Sequence, residues 1–126
     1  MLTLKEKKKI KEFHGHIGPW VVTGFTLGKL AKKYIKGLKT INILNPLFPP
    51  KSCLIDGLQL SSGLTIGRGE VRLKKSPQLV ITFIGQIDEI KIVLKSEMVR
   101  IIQGFEHNNL KKLSYYIGNT YIKFFE

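Results

Sequence analysis

The chain has 126 residues with 21 Lys and Arg against 9 Asp and Glu, a net charge of +12, and 43% of it is hydrophobic. That length suits one domain (residues 1–126) with a core of its own, and the composition excludes a disordered or low-complexity segment. One cysteine, Cys53, excludes an intrachain disulfide, no apolar run reaches the ~18 residues of a membrane span, and the lysine-rich start excludes a signal peptide, so a cytoplasmic protein with no membrane partner is expected.

Thr3 and Glu6 have capping-box spacing, and they open a helix to about Phe13 with Leu4 and Ile10 on its buried side. Gly15 breaks it. Pro19 suits a first helical turn, and from Trp20 to Ile35 the apolar set Val21, Phe25, Leu30 and Tyr34 lies opposite Lys29, Lys32, Lys33 and Lys36. Gly24 and Gly28 lower helix propensity but let another backbone come close, either across a sheet or from a partner. Thr40 to Leu44 reads as a strand, followed by a turn from Asn45 to Pro50. Ser52 or Cys53 caps a short helix carrying Asp56 in its first turn, and Gly63 ends it.

A glycine-punctuated turn from Gly63 to Gly69 leads into three strand signals, Glu70 to Lys74, Leu79 to Ile84 and Glu89 to Lys95, whose short connections favour antiparallel pairing. Ser96 caps a helix ending near Gly104. His107 reads as a loop residue, and Asn108 caps a last helix with the apolar stripe Leu110, Leu113, Ile117, Tyr121 and Phe124. The expected fold is α+β: an antiparallel sheet with N-terminal helices packed on it and helices at the C-terminus.

The charge is uneven. Ten lysines and only Glu6 and Glu12 fall in the first 40 residues, which puts +8 of the +12 there. Such a basic end fits nucleic acid or another polyanion, or simply solvated helix faces, and no aromatic-interleaved basic motif accompanies it.

The densest chemical constellation is Phe13-His14-Gly15-His16-Ile17-Gly18-Pro19. In an extended segment residues i and i+2 point to one side, so both imidazoles reach a single metal ion, whereas a helix-ending His beside one that packs or caps gives the same sequence. Cys53 at a helix start is the one soft candidate for a third ligand, with a thiol pKa lowered by that position, and a small buried hydrophobe is the competing reading. The Gly63–Gly69 turn lacks the Lys-Ser/Thr pair of a phosphate loop and precedes a strand, which excludes that motif. Its Arg68 either meets an anion or sits in water.

Taken together, Phe13-His14-Gly15-His16-Ile17 with Pro19, then Ser52-Cys53 with Asp56, Gly57 and Gln59, then Gly63, Thr65, Gly67 and Gly69 resemble the FmdE family of formylmethanofuran dehydrogenase proteins over about residues 10 to 85. The resemblance implies an α+β core, commonly dimeric, with a metal-binding cleft. It makes His14, His16 and Cys53 the ligand candidates and has Asp56, Gln59 and Thr65 line or brace the cleft. Against the family pattern, Gly18 and Leu64 stand where cysteines are usual, Trp20 follows the proline, and Arg68 replaces a lysine. The loop before Cys53 reads as an insertion, and the zinc-finger tail of many members has no counterpart.

The sequence reading is therefore a metal-binding protein with one divalent transition metal on His14, His16 and Cys53, zinc by default and nickel or iron as alternatives. Gln59, Thr65 and Arg68 are its cleft candidates. If the protein is catalytic, the metal serves as Lewis acid or water activator and Asp56 is the nearest carboxylate for proton transfer. A homodimer, or a place as an accessory component of a larger redox-enzyme complex, follows from the resemblance. The rival reading is a basic polyanion- or nucleic-acid-binding module with a vestigial metal site.

Overall fold

The computed structural model describes residues 2–105 and 109–126, so the expectations for His107 and for Asn108 as a cap lie outside the described residues. The first helix, α1 (Leu4–His14), begins on a complete capping box: Thr3 Oγ1 accepts the Glu6 amide at 3.1 Å and Glu6 Oε1 accepts the Thr3 amide at 2.9 Å. It runs one residue past the expected end and stops at Gly15, whose φ of 95° is left-handed. Ile10 is buried as expected. Leu4 is not, at 77% exposed, because Leu2 just before the cap fills the apolar space instead.

Glu6 also ties α1 to the next helix, its Oε2 lying 2.6 Å from Lys29 Nζ. Burial alone would raise this carboxyl, but the Lys29 ammonium and the Thr3 bonds outweigh it and hold the group below its usual value. A carboxyl lowered in the folded state adds stability above its unfolded pKa and loses it as pH falls through the folded one. Glu6→Gln is therefore expected to destabilise by up to about 1 kcal/mol at neutral pH, since the pair is part-exposed and screened. In urea unfolding, that gap should close under acid conditions; a gap that persists there would mean the charge is not its source.

The second helix, α2 (Pro19–Tyr34), starts with Pro19 in its first turn and is buried continuously from Trp20 to Gly28. The backbone that Gly24 and Gly28 admit belongs to neither a sheet nor a partner but to α3 (Cys53–Ser62). A methyl at Gly24 would sit 2.0 Å from Leu54 O, one at Gly57 2.1 Å from Val21 O, and one at Gly28 2.2 Å from Ser61 Oγ. Glycines on both helices thus set the crossing distance, and with it the position of the start of α3.

The four strands among the described residues are β1 (Thr40–Asn45), β2 (Val71–Lys75), β3 (Val80–Ile84) and β4 (Glu89–Val93), in the sheet order β2-β1-β3-β4. The fold is α+β, but the sheet is mixed rather than antiparallel throughout. β1 lies between β2 and β3, parallel to the first (Ile41 opposite Val71) and antiparallel to the second (Ile43 opposite Ile81). α3 is the crossover that parallel pairing demands, whereas β3 and β4 pair antiparallel through the short connection expected of them. Ile41, Ile43, Ile81, Phe83 and Ile92 belong to the buried core. Residues alternating with them, such as Asn42, Thr82 and Lys91, belong to the other face.

Helix α4 (Ser96–Gly104) is preceded by Lys95 as its cap residue, so Ser96 is its first helical residue and makes no capping bond. Helix α5 (Leu110–Phe125) buries Leu110, Leu113, Ile117 and Tyr121. The stripe then continues at Phe125, not Phe124: a step of four keeps the ring over the sheet, where it meets Phe83 edge-on at 5.6 Å, and Phe124 is half exposed. No helix among the described residues is long and apolar enough to cross a membrane.

Candidate metal centre

The site forms where the end of α1 meets the start of α3. His14 is the last residue of α1, and the left-handed turn at Gly15 folds the chain back so that His16 lies beside it, ring centroids 4.5 Å apart and planes tilted by 56°. The two imidazoles share a side because of this turn, not because the segment is extended. A side chain at residue 15 would be strained in that conformation even though no described residue occupies the space around it.

Cys53 comes from the other element as the first residue of α3. Ser52 before it takes helical dihedrals and makes no side-chain cap. One donor atom from each of His14, His16 and Cys53 lies within 4.8 Å of the others, close to the span of a single ion's coordination sphere. Cys53 is 9% exposed. Its helix-start position predicts a lowered thiol pKa; instead burial pushes it up, the nearby Asp56 charge adds to that, and only a backbone hydrogen bond opposes them.

Asp56, one turn along α3, brings its Oδ2 to 2.6 Å from His14 Nδ1. A carboxylate accepts and cannot donate, so Nδ1 carries the hydrogen and the lone pair of the neutral ring falls on Nε2. That Nε2 is buried and finds no hydrogen-bond partner among the described residues. A buried acceptor without a donor is unfavourable unless something electron-poor is meant to face it. Asp56 Oδ1 in turn accepts Gln59 Nε2 at 3.4 Å, and Gln59 Oε1 accepts the Ile66 amide at 2.9 Å. The line from His14 through Asp56 and Gln59 thus reaches the turn before β2.

Thr65 and Arg68 belong to the bracing of that turn. Thr65 Oγ1 accepts the Arg68 amide at 3.2 Å, Arg68 Nε donates to Glu70 Oε1 at 2.8 Å, and Arg68 Nη2 donates to Gly63 O. Glu70 Oε1 also accepts the Thr65 amide at 3.2 Å. Along the sequence Glu70 is only the start of a strand signal; the one hint of its role is an acid two residues from Arg68 in a glycine-rich turn.

A family model described as "FmdE, Molybdenum formylmethanofuran dehydrogenase operon" matches residues 13–115, which includes both ligand-bearing segments and the whole sheet. A search of curated proteins found no match.

Proposed function

Because the chain belongs to the FmdE family, we propose that its cleft holds one divalent transition-metal ion on His14 Nε2, an imidazole nitrogen of His16 and Cys53 Sγ, with zinc the default and nickel or iron the alternatives. The observation that carries this reading is a buried His14 Nε2 with no hydrogen-bond partner among the described residues, on a side chain that clusters with those of His16 and Cys53. Two nitrogens and a sulfur make a borderline-soft donor set that suits these metals and not magnesium or calcium.

Three protein ligands leave a coordination position for water or substrate, and the metal would supply Lewis acidity there. The chain's own residues divide the remaining work. Asp56 holds the Nδ1 hydrogen of His14 and so keeps the ring in the ligating tautomer; both its oxygens are engaged, which makes it a positioning residue. Gln59 steadies Asp56 against the Ile66 amide. Cys53 gives up its proton when it ligates, so ion uptake should release acid and weaken as pH falls.

The test is elemental analysis by mass spectrometry of anaerobically purified protein, wild type beside His16→Ala and Cys53→Ala. About one ion per chain in the wild type, lost in both variants, is expected. Protein that neither carries metal nor takes up added zinc, nickel or iron would overturn the ligand assignment.

A further inference from the structure

Where α2 meets α5, a groove of about 260 Å³ opens that shares no residue with the His/Cys cleft. Phe25, Leu30 and Ile122 give it apolar walls, Lys29 and Lys33 stand along one side, and no acidic residue among those described lines it. Buried Thr26 and Ser114 lie on its floor with their hydroxyl oxygens 2.8 Å apart. Thr26 Oγ1 donates its one hydrogen to Val22 O at 2.9 Å, so Ser114 supplies the hydrogen between the pair and both hydroxyl hydrogens are used within the protein.

Gly118, also in the lining, is the informative residue. It lies in the middle of α5, where glycine is worth about 1 kcal/mol less than alanine. Its φ is not positive, and an added Cβ would meet nothing nearer than Thr26 Cγ2 at 3.9 Å, ordinary contact. Neither backbone conformation nor packing requires a glycine here, in contrast to Gly24 and Gly57. What its missing side chain preserves is the open groove.

We propose that this groove binds a small amphipathic carboxylate, its apolar body between α2 and α5 and its anionic head at Lys33. Glu6 already bridges Lys29. Lys33, exposed and 5.3 Å from the Tyr34 ring centroid, is therefore the cation offered to the head. The volume, slightly below the range of about 300–1,000 Å³ usual for small-molecule sites, fits a short aliphatic or aromatic acid better than a macromolecular segment.

The probe is octanoate, titrated into isotope-labelled full-length protein and followed by amide chemical shifts, with octanol as the uncharged control. Saturable shifts centred on Phe25, Ser114 and Gly118 are expected, with a Kd on the order of 1 mM for about ten heavy atoms. Octanol should bind several-fold more weakly. Gly118→Leu, which fills the groove, should weaken octanoate at least tenfold; Lys33→Glu, an exposed change that leaves the core alone, should weaken it several-fold and reduce its salt dependence. No saturable shift, equal binding of octanol, or unchanged affinity in both variants would overturn the proposal. Metal content of the same samples should not change, so this site and the metal centre fail or stand separately.

Discussion

Gly57→Ala is expected to melt on the order of 10 °C below the parent, from one methyl group. The added Cβ would fall 2.1 Å from Val21 O and 2.5 Å from the Phe25 amide nitrogen. Both are backbone atoms of a buried helix, and neither can rotate aside as a side chain would. Overpacking of this kind costs about 1–3 kcal/mol and more where the neighbours are fixed, against a gain of at most about 1 kcal/mol from exchanging glycine for alanine in a helix. The packing loss wins, and roughly 3 kcal/mol in a domain of this size corresponds to that drop in Tm. Gly118→Ala is the matching control: the same exchange with room for the methyl should leave Tm unchanged or raise it. Thermal unfolding by circular dichroism compares the two, and a Gly57→Ala protein that melts with the parent would show that the α2–α3 crossing is looser than described.

For Asp56 the expected effect is on the metal, not on the fold. Its side chain is 37% exposed, so neither Asn nor Ala at this position opens a cavity. What changes is His14: without the carboxylate nothing fixes the hydrogen on Nδ1, and the ring spends part of its time in the tautomer that cannot ligate through Nε2. Loss of such a partner typically weakens metal affinity 10- to 100-fold. Asp56→Asn, which can still accept the Nδ1 hydrogen through its amide oxygen, should fall near the lower figure, about tenfold, and Asp56→Ala near the upper, about a hundredfold. One effect runs the other way, because the Asp56 charge helps raise the Cys53 thiol and its removal eases deprotonation. Burial is the larger cause of that rise and persists in both variants, so the loss of orientation should prevail. Competition with a chromophoric chelator measures the difference, and affinities equal to the parent's would show that Asp56 does not orient the ligand.

What can be read along the chain is whatever neighbouring residues decide. Thr3 with Glu6, Gly15, Pro19 and Gly63 each punctuate a helix by local geometry, and each does so in the structure. His14, His16 and Cys53 can be nominated because few side chains offer nitrogen or sulfur donors, and the resemblance joins segments that the sequence alone keeps far apart. Three things are not legible there. Pairing of β1 with β2 depends on a crossover through α3, and no short-range turn signal encodes it. The bond from Asp56 to His14 spans 42 residues, so the residues alone suggest a carboxylate for proton transfer or a dipole partner; the resemblance has it line or brace the cleft, but does not show that it holds His14. Leu4 and Phe124 sit at helix ends, where one residue of drift turns a side chain from core to solvent.

The order of the sheet gives some of the lysines a duty apart from any ligand. β2 and β4 are its outermost strands, and each offers a row of backbone donors and acceptors that a strand from another molecule could copy. β2 carries Arg72, Lys74 and Lys75, and β4 carries Lys91 in the middle of its run, all exposed. Two molecules meeting edge to edge would bring like charges together in a narrow, partly dehydrated seam. In a crowded cell the protein's excess of positive charge thus helps keep a two-edged sheet from growing into a fibre.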